Sequence, residues 1–531
     1  MRMKFAFAAL LLSWGSLLPL SAAVSMPVDA SASVGVAQQA EGPAKEALEA
    51  FKAGRYAKAV ELAKPLAEQG NGDALYLLGF ASETGQGLEA SRPKALEYYR
   101  KAAATGQKDA TYRLSFILLA SEDEKERNQG REALEAAAKN DPAVAGRILG
   151  EAWLKGRLSK EGDFDKTVFW WTRAADAGDV PSLLLLGRLY EGQFGFTDKM
   201  DPKKSLDAYR KAAGLGNTGA MAALGSRLLN GPEAQRNEKE GREWLKKAID
   251  AKEYVAYVAL GDFEENVKKN PQAALETFQK GDEAGQIDST LRAAEFYLNG
   301  KGVEKDRERG IRLLEKAATA GNGAAHWKLA AIRLTGETPD LMKGYGHLLS
   351  AANAGIAEAQ NELALFYLTG KMGVNDTLAA IAWFNRAAQS GYAPAQNNLA
   401  TVYERGGGGT PQNLTTAAQL YALAANQGHG PATLSLARLL AMGGGKENLP
   451  KAWALATLAA ERGQEDGTKL AKEIDEKFDP AQRTEAKKAL EDIKSGKKPE
   501  TKEADGDKSA GEIKPASETK PATGGKSKTK P

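Results

Sequence analysis

The stretch WFNRAAQSGYAPAQNNLA, residues 383–400, has close relatives along the chain. YRKAAATGQKDATYRLS runs from 99 to 115, WTRAADAGDVPSLLLLG from 171 to 187 and LEKAATAGNGAAHWKLA from 314 to 330. Aligned on Gly391, the same slot recurs at Gly70, Gly106, Gly178, Gly216, Gly285, Gly321, Gly355, Gly428 and Gly463, with Asp141 and Lys252 in two further copies. The twelve positions are 33 to 38 residues apart. So steady a period over some 400 residues marks a repeat array, not a string of separate domains.

Each copy reads as two short helices. The first ends in an alanine pair, such as Ala387-Ala388 or Ala102-Ala103, and the glycine follows after two intervening residues, where a helix end commonly takes a left-handed residue. Three residues on stands Pro181, Pro394 or Pro431, or an acid such as Asp73, Asp109, Asp288, Glu358 or Asp466, all suited to the first turn of a helix. The second helix carries a small residue and a Leu four apart, as in Ala395 and Leu399, followed in most copies by Gly or Ala (Gly79, Gly187, Gly225, Gly261, Ala330). Glycine inside a helix costs about 1 kcal/mol against alanine, tolerable where two helices cross closely. The phrase is therefore an αα-hairpin whose apolar faces are covered only by neighbouring copies. Gly391→Val is expected to destabilise far more than Gly408→Val in GGGGTP (406–411), read as a slack connector.

The order of small residue, Leu, aromatic, G-x-G-V, Asp, aromatic pair and K-A-A-x2-G resembles the Sel-1-like repeat, a relative of the tetratricopeptide repeat. AEFYLNGKGVEKDRERGIRLLEKAATAG (294–321) matches at Tyr297, Gly300, Gly302, Val303, Asp306, Ala317 and Ala318, and LALFYLTGKMGVNDTLAAIAWFNRAAQSG (363–391) with one extra loop residue. The likeness covers about 44–470 and implies an all-α, right-handed superhelical solenoid of about 12 repeats, serving as scaffold or adaptor, with first helices lining its inner curve. It implies no reaction. Some exported relatives are lipoproteins that support polysaccharide secretion and carry an anchoring Cys, which this chain lacks.

The ends differ from the array. Arg2 and Lys4 precede the apolar run 5–20 and the small residues Ser21-Ala22-Ala23, so 1–23 is expected to be a cleaved signal peptide and the mature protein periplasmic or secreted, with no membrane span. An uncleaved N-terminal anchor is the competing reading, and Ala30-Ser31-Ala32 offers a second cleavage site. Residues 24–43 read as a flexible segment and 44–494 as the solenoid, whose last helix begins at Asp479-Pro480 and covers the open end. The tail 495–531, rich in Lys, Glu and Pro, is expected to be disordered. With 72 Lys plus Arg against 69 Asp plus Glu, composition gives no sign of a nucleic-acid binder. The absence of Cys excludes disulfides, thiolate metal sites and a Cys nucleophile.

Candidate sites are few. His326, His347 and His429 lie in different copies at different offsets, so no metal or base–nucleophile cluster is expected, nor any cofactor. GGGKEN (443–448) lacks the Ser or Thr and the preceding strand of a phosphate loop. Aromatics seven or eight residues before the glycine (Tyr98-Tyr99, Trp170-Trp171, Tyr209, Trp244, Phe278, Trp383-Phe384, Tyr421) fall on the core face of the first helix, although they could stack on sugars. A basic ladder stands five residues before the glycine: Lys101, Arg173, Lys211, Lys247, Lys280, Lys316 and Arg386. It is either helix-end chemistry or a stripe that holds an anionic partner. The expectation is a non-enzymatic protein–protein interaction scaffold in the periplasm or cell envelope. The alternative is a polysaccharide- or cell-wall-binding solenoid that supports envelope polymer assembly or secretion.

Overall fold

A computed structural model describes residues 42–495, apart from 337, 338, 372, 374, 444 and 446. The expected signal peptide 1–23, the following segment as far as 41 and the tail from 496 lie outside the described residues, as does part of the GGGKEN loop. The described residues form 26 α-helices, from Lys45–Lys52 to Pro480–Lys494, with no strand and one isolated antiparallel bridge between Gly407 and Thr410. Two compact units, residues 1–354 and 355–531, divide the chain. Within each, the helices pack on the next along the chain, the layout of an all-α solenoid, except that the last, Pro480–Lys494, packs chiefly on Leu449–Glu461 rather than on Glu465–Asp475.

The turn at Gly391 shows what the repeated phrase encodes. The helix Thr377–Gln389 ends at Ser390, and Gly391 takes φ +86°, which an L side chain adopts only with strain. The Gly391 N–H donates to Ala388 O at 3.0 Å and the Tyr392 N–H to Ala387 O at 3.1 Å, the paired bonds of a Schellman end. The first alanine of the pair must therefore offer its carbonyl to the turn while its methyl is buried between helices, and Ala387 is 0 % exposed. All ten glycines in this slot lie between +79° and +90°. Lys252 keeps the left-handed turn at φ +66°, whereas Asp141, at φ −139°, abandons it and stands just before the helix Pro142–Leu154.

The residue after the glycine caps the next helix, which starts one residue further on. Asn71, Gln107, Asp179, Asn217, Gln286, Asn322 and His429 each accept a backbone N–H three residues on. His429 thus serves as a helix cap, its Nδ1 3.2 Å from the Ala432 N–H.

Helices joined across the connector pack more closely than helices joined across the Gly turn, so the hairpin closes over the connector and the repeat unit begins at the turn. The physical reason is the small residue nine positions after the turn. A Cβ on Gly79 would lie 2.7 Å from the Tyr99 ring, on Gly150 2.3 Å from Trp171, on Gly187 2.7 Å from Tyr209 and on Gly261 2.2 Å from Phe278. Each ring rests directly on the backbone of the preceding helix, and the rings of Tyr99, Trp171, Phe278, Phe384 and Tyr421 are all but fully buried. At the far end, Pro480–Lys494 opens with a capping box of Asp479 and Gln482 and packs Ala486 against Ala452, Ile474 and Phe478.

GGGGTP is not slack. Gly406, Gly407, Gly408 and Gly409 all have positive φ, and Gly407 and Thr410 exchange backbone bonds at 2.8 and 3.0 Å. A Cβ on Gly408 would fall 2.1 Å from Thr377 Oγ1 and 2.5 Å from its Cβ, whereas one on Gly391 meets nothing within 4 Å. The expected ranking is therefore reversed: Gly391→Val bears backbone strain alone, while Gly408→Val bears strain and a collision with a neighbouring helix.

Candidate interaction surface

The seven ladder cations all stand in the last turn of a first helix. All seven are exposed. Their surroundings differ. Arg173 lies over Phe169 and Trp170, each at 5.6 Å, Lys247 over Trp244 at 4.2 Å and Arg386 over Trp383 at 4.5 Å. Trp244 and Trp383 are half-buried and Phe169 is 49 % exposed. The geometry separates two kinds of aromatic. Seven before the turn, the ring is core. Eight before it, at Trp244 and Trp383, the ring lies at the flank, and a cation three residues later covers it, one helical turn along the same face.

Two ladder members are engaged within the chain. Lys101 pairs with Glu97 at 2.6 Å, one turn back, and Lys316 with Asp282 at 2.6 Å, on the first helix of the preceding copy. Lys211 and Lys280 have neither an ion pair nor a stacked ring among the described residues. Arg173, Lys211, Lys247 and Lys280 therefore form a run of four consecutive copies whose cations meet rings or solvent. Beyond Lys280 the run gives way to a groove of about 270 Å³ bordered by Asp282, Glu283, Tyr297 and Arg309, where Gln279 donates to the Tyr297 hydroxyl at 2.7 Å and Arg309 covers the ring at 4.2 Å.

The sequence reading missed a second row of cations, on the second helices. Arg113 Nε donates to Glu83 at 2.9 Å, Arg227 Nη2 to Glu191 at 2.8 Å and Arg292 to Asp262 at 2.8 Å and to Glu265, each acid belonging to the preceding copy. Glu83, Glu191, Glu265 and Glu404 share one slot, thirteen residues after the turn, which is the signal that could have found them. Tyr99 and Tyr421 donate to the same row, at 2.7 Å to Glu83 and 2.6 Å to Glu404. Burial, with Glu404 adding, pushes the Tyr421 hydroxyl up to about 12, so it remains a donor. These pairs tie copy to copy and leave little charge for a partner.

A larger groove, about 630 Å³, lies in the second unit between the helices Ala393–Arg405, Leu414–Asn426 and Gly430–Met442. Leu414 and Met442, 46 % and 80 % exposed, border it beside Arg405 and Arg438, and the Glu404–Tyr421 bond forms part of its wall. Nothing in the periodic pattern marked this groove, because Leu414 and Met442 sit at helix ends where the copies vary.

The Sel1 repeat matches eight segments, 148–179, 180–217, 218–252, 287–322, 323–356, 357–392, 393–429 and 431–464, together more than half of the chain. Most open at a Gly turn, the phase that the close pairing across connectors gives, and the gap 253–286 is the copy introduced by Lys252. Plant tetratrico peptide repeats match 67–147. An uncharacterized protein of Neisseria meningitidis is 27% identical over 53% of this chain and 62% of its own length, and the chitin synthase regulator SKT5 of Saccharomyces cerevisiae is 27% identical over 45% and 36%. The chain thus spans less than two thirds of these relatives. Among solved structures, a Sel1 repeat protein of Oxalobacter formigenes is 27% identical over 61% of this chain and 93% of its own (TM-score 0.41), and c5321, a protective antigen of uropathogenic Escherichia coli, is 22% identical over 82% and 94% (TM-score 0.35). Repeats of this kind are generally protein-interaction scaffolds. With its turns, close helix pairs and more than half its length accounted for by that repeat, the chain belongs to the Sel1 repeat family.

Proposed function

We propose that this protein is a non-enzymatic interaction scaffold of the periplasm or cell envelope, and that it holds an acidic segment of a partner protein along Arg173, Lys211, Lys247 and Lys280. The observation that carries this reading is the run itself: four cations in consecutive copies, two of them seated on aromatic rings, none neutralised by an acid of the chain among the described residues. Each exposed ion pair contributes about 0–1 kcal/mol, so affinity comes from repetition and from the apolar and aromatic surface beside the charges. The signal-like N-terminus supports an exported setting. A relative named for regulating chitin synthase favours a protein partner over the polymer as the ligand.

The test is capture from an envelope extract, with mass spectrometry, by the wild type and by a variant carrying Arg173→Ala, Lys211→Ala, Lys247→Ala and Lys280→Ala. Capture should weaken in the variant and, for the wild type, at high salt, while circular dichroism stays helical. Full capture by the variant at both low and high salt moves the surface elsewhere. Retention of purified protein on anionic glycan with no protein partner, lost in the variant, favours the polysaccharide reading instead.

A further inference from the structure

The structure brings together two of the three histidines that their sequence offsets keep apart. His326, on the helix Gly323–Thr335, and His347, on Leu341–Asn353, face each other with Nδ1 atoms 3.0 Å apart, ring centroids 5.3 Å apart and planes at 42°. The register of the array explains the meeting. Position five after one turn lies against position eight before the next, and the same register sets Gly146 against Trp170, where a Cβ would be 3.0 Å from the Trp170 carbonyl oxygen. We propose that His326 and His347 form a two-imidazole site for a divalent transition-metal ion, Cu(II) before Ni(II) or Zn(II), bound through both Nδ1 atoms.

Metal–imidazole bonds are about 2.0–2.1 Å, so two ligands at a right angle place their nitrogens about 2.9 Å apart and two at a tetrahedral angle about 3.4 Å apart. The observed 3.0 Å is close to the right-angled bite of square-planar or tetragonal Cu(II) and Ni(II); Zn(II) requires the rings to spread. Cu(II) also heads the affinity order for nitrogen ligands. Both rings are half-buried, and no third His, Asp or Glu converges on them among the described residues, so water completes the coordination. The charged groups facing His347 are Glu315 and Arg333, which pair with each other at 3.3 Å and nearly cancel. Without metal, one Nδ1–H donates to the other Nδ1. With metal, both Nδ1 lone pairs bind it and each ring keeps its proton on Nε2, so a neutral pair needs a tautomer change and no net loss of a proton.

The test uses the full chain without a histidine tag, titrated with CuSO4 and ZnSO4 at pH 7.5 by calorimetry, with electron paramagnetic resonance on the Cu(II) form. One Cu(II) per chain, two-nitrogen hyperfine structure and weaker Zn(II) binding are expected. His429→Gln should bind as the wild type does, because its imidazole caps a helix elsewhere. His326→Gln and His347→Gln should each weaken binding about tenfold or more. A folded double variant that binds Cu(II) as tightly as the wild type overturns the site, as does a wild type that binds nothing up to about 1 mM. Should the Gln variants unfold, the wild-type spectrum decides alone: oxygen ligands only would leave a His–His hydrogen bond and no metal site.

Discussion

Trp383 and Phe384 are neighbours in the sequence and belong to different parts of the protein. Phe384 is 0 % exposed, enclosed by Ala364, Ala380, Ala387, Ala395 and Leu399. Trp383 is half-buried at the flank, with Arg386 over its ring. One residue turns a side chain by 100° about the helix, enough to move it from between two helices to their edge. Trp244 and Leu245 repeat the contrast, with Leu245 fully buried and Trp244 beneath Lys247. The repeated phrase therefore carries two messages: the position seven before the turn fills the space between paired helices, and at Trp244 and Trp383 the position eight before it, with the cation five before it, makes a half-exposed flank.

Truncating each ring separates the two positions most widely. Phe384→Ala should cost about 3–5 kcal/mol, since a filled site between close-packed helices cannot collapse freely. Trp383→Ala should cost about 1 kcal/mol or less, mostly its half-buried area. Urea midpoints of the two variants give the answer, and equal losses would mean that the flank is as structural as the core.

A middle-sized effect belongs to the row of paired cations. Arg292→Ala leaves Asp262 and Glu265 half-buried without their guanidinium, and a loss of about 1–3 kcal/mol follows after allowance for partial exposure. The deficit should depend on pH. Burial holds the Asp262 carboxyl above its usual value even with Arg292 beside it, and removing the arginine raises it further. A carboxyl raised in the folded state contributes most below its unfolded value and loses that contribution as pH rises through the folded one. The variant should therefore fall further behind the wild type at pH 7.5 than at pH 4.5. A deficit equal at both would assign the loss to packing.

How far the sequence could be read follows from what a period records. The turn, the alanine pair and the ring on glycine repeat at fixed offsets, so Gly391, Ala387 and Phe384 were legible from one chain. Partnerships across copies were not: Arg292 meets Glu265 27 residues away and Arg227 meets Glu191 36 away, and only a column of glutamates thirteen after the turn hints at it. His326 and His347 have different offsets, and their meeting depends on which helices close into a hairpin: the spacing reads as a hairpin over the Gly turn, whereas the structure closes it over the connector. Glycine content alone reads as slack in GGGGTP, whereas four glycines of positive φ fold the loop against Thr377. The ladder was legible as a column, but which of its members are already occupied was not.

That last distinction gives the smallest expected effect. Lys316 and Lys280 stand in the same slot of consecutive copies, both exposed. Lys316 reaches Asp282 at 2.6 Å, with side chains 50% and 18% exposed, whereas Lys280 faces solvent. Both complement a helix C-terminus, so each alanine substitution loses about 0.3–1 kcal/mol at low salt from that source. Lys316→Ala loses the ion pair in addition, and a half-exposed pair contributes about 0–1 kcal/mol. The stability difference between the two variants should therefore stay below about 1 kcal/mol and shrink in 1 M salt, where the Debye length is about 3 Å. Capture of the partner should rank the other way: Lys280→Ala removes a cation free to meet an acidic segment, and Lys316→Ala removes one already neutralised by Asp282. A Lys316→Ala variant that weakens capture as much as Lys280→Ala would show that the partner displaces Asp282, and that the binding strip continues past the fourth copy of the run.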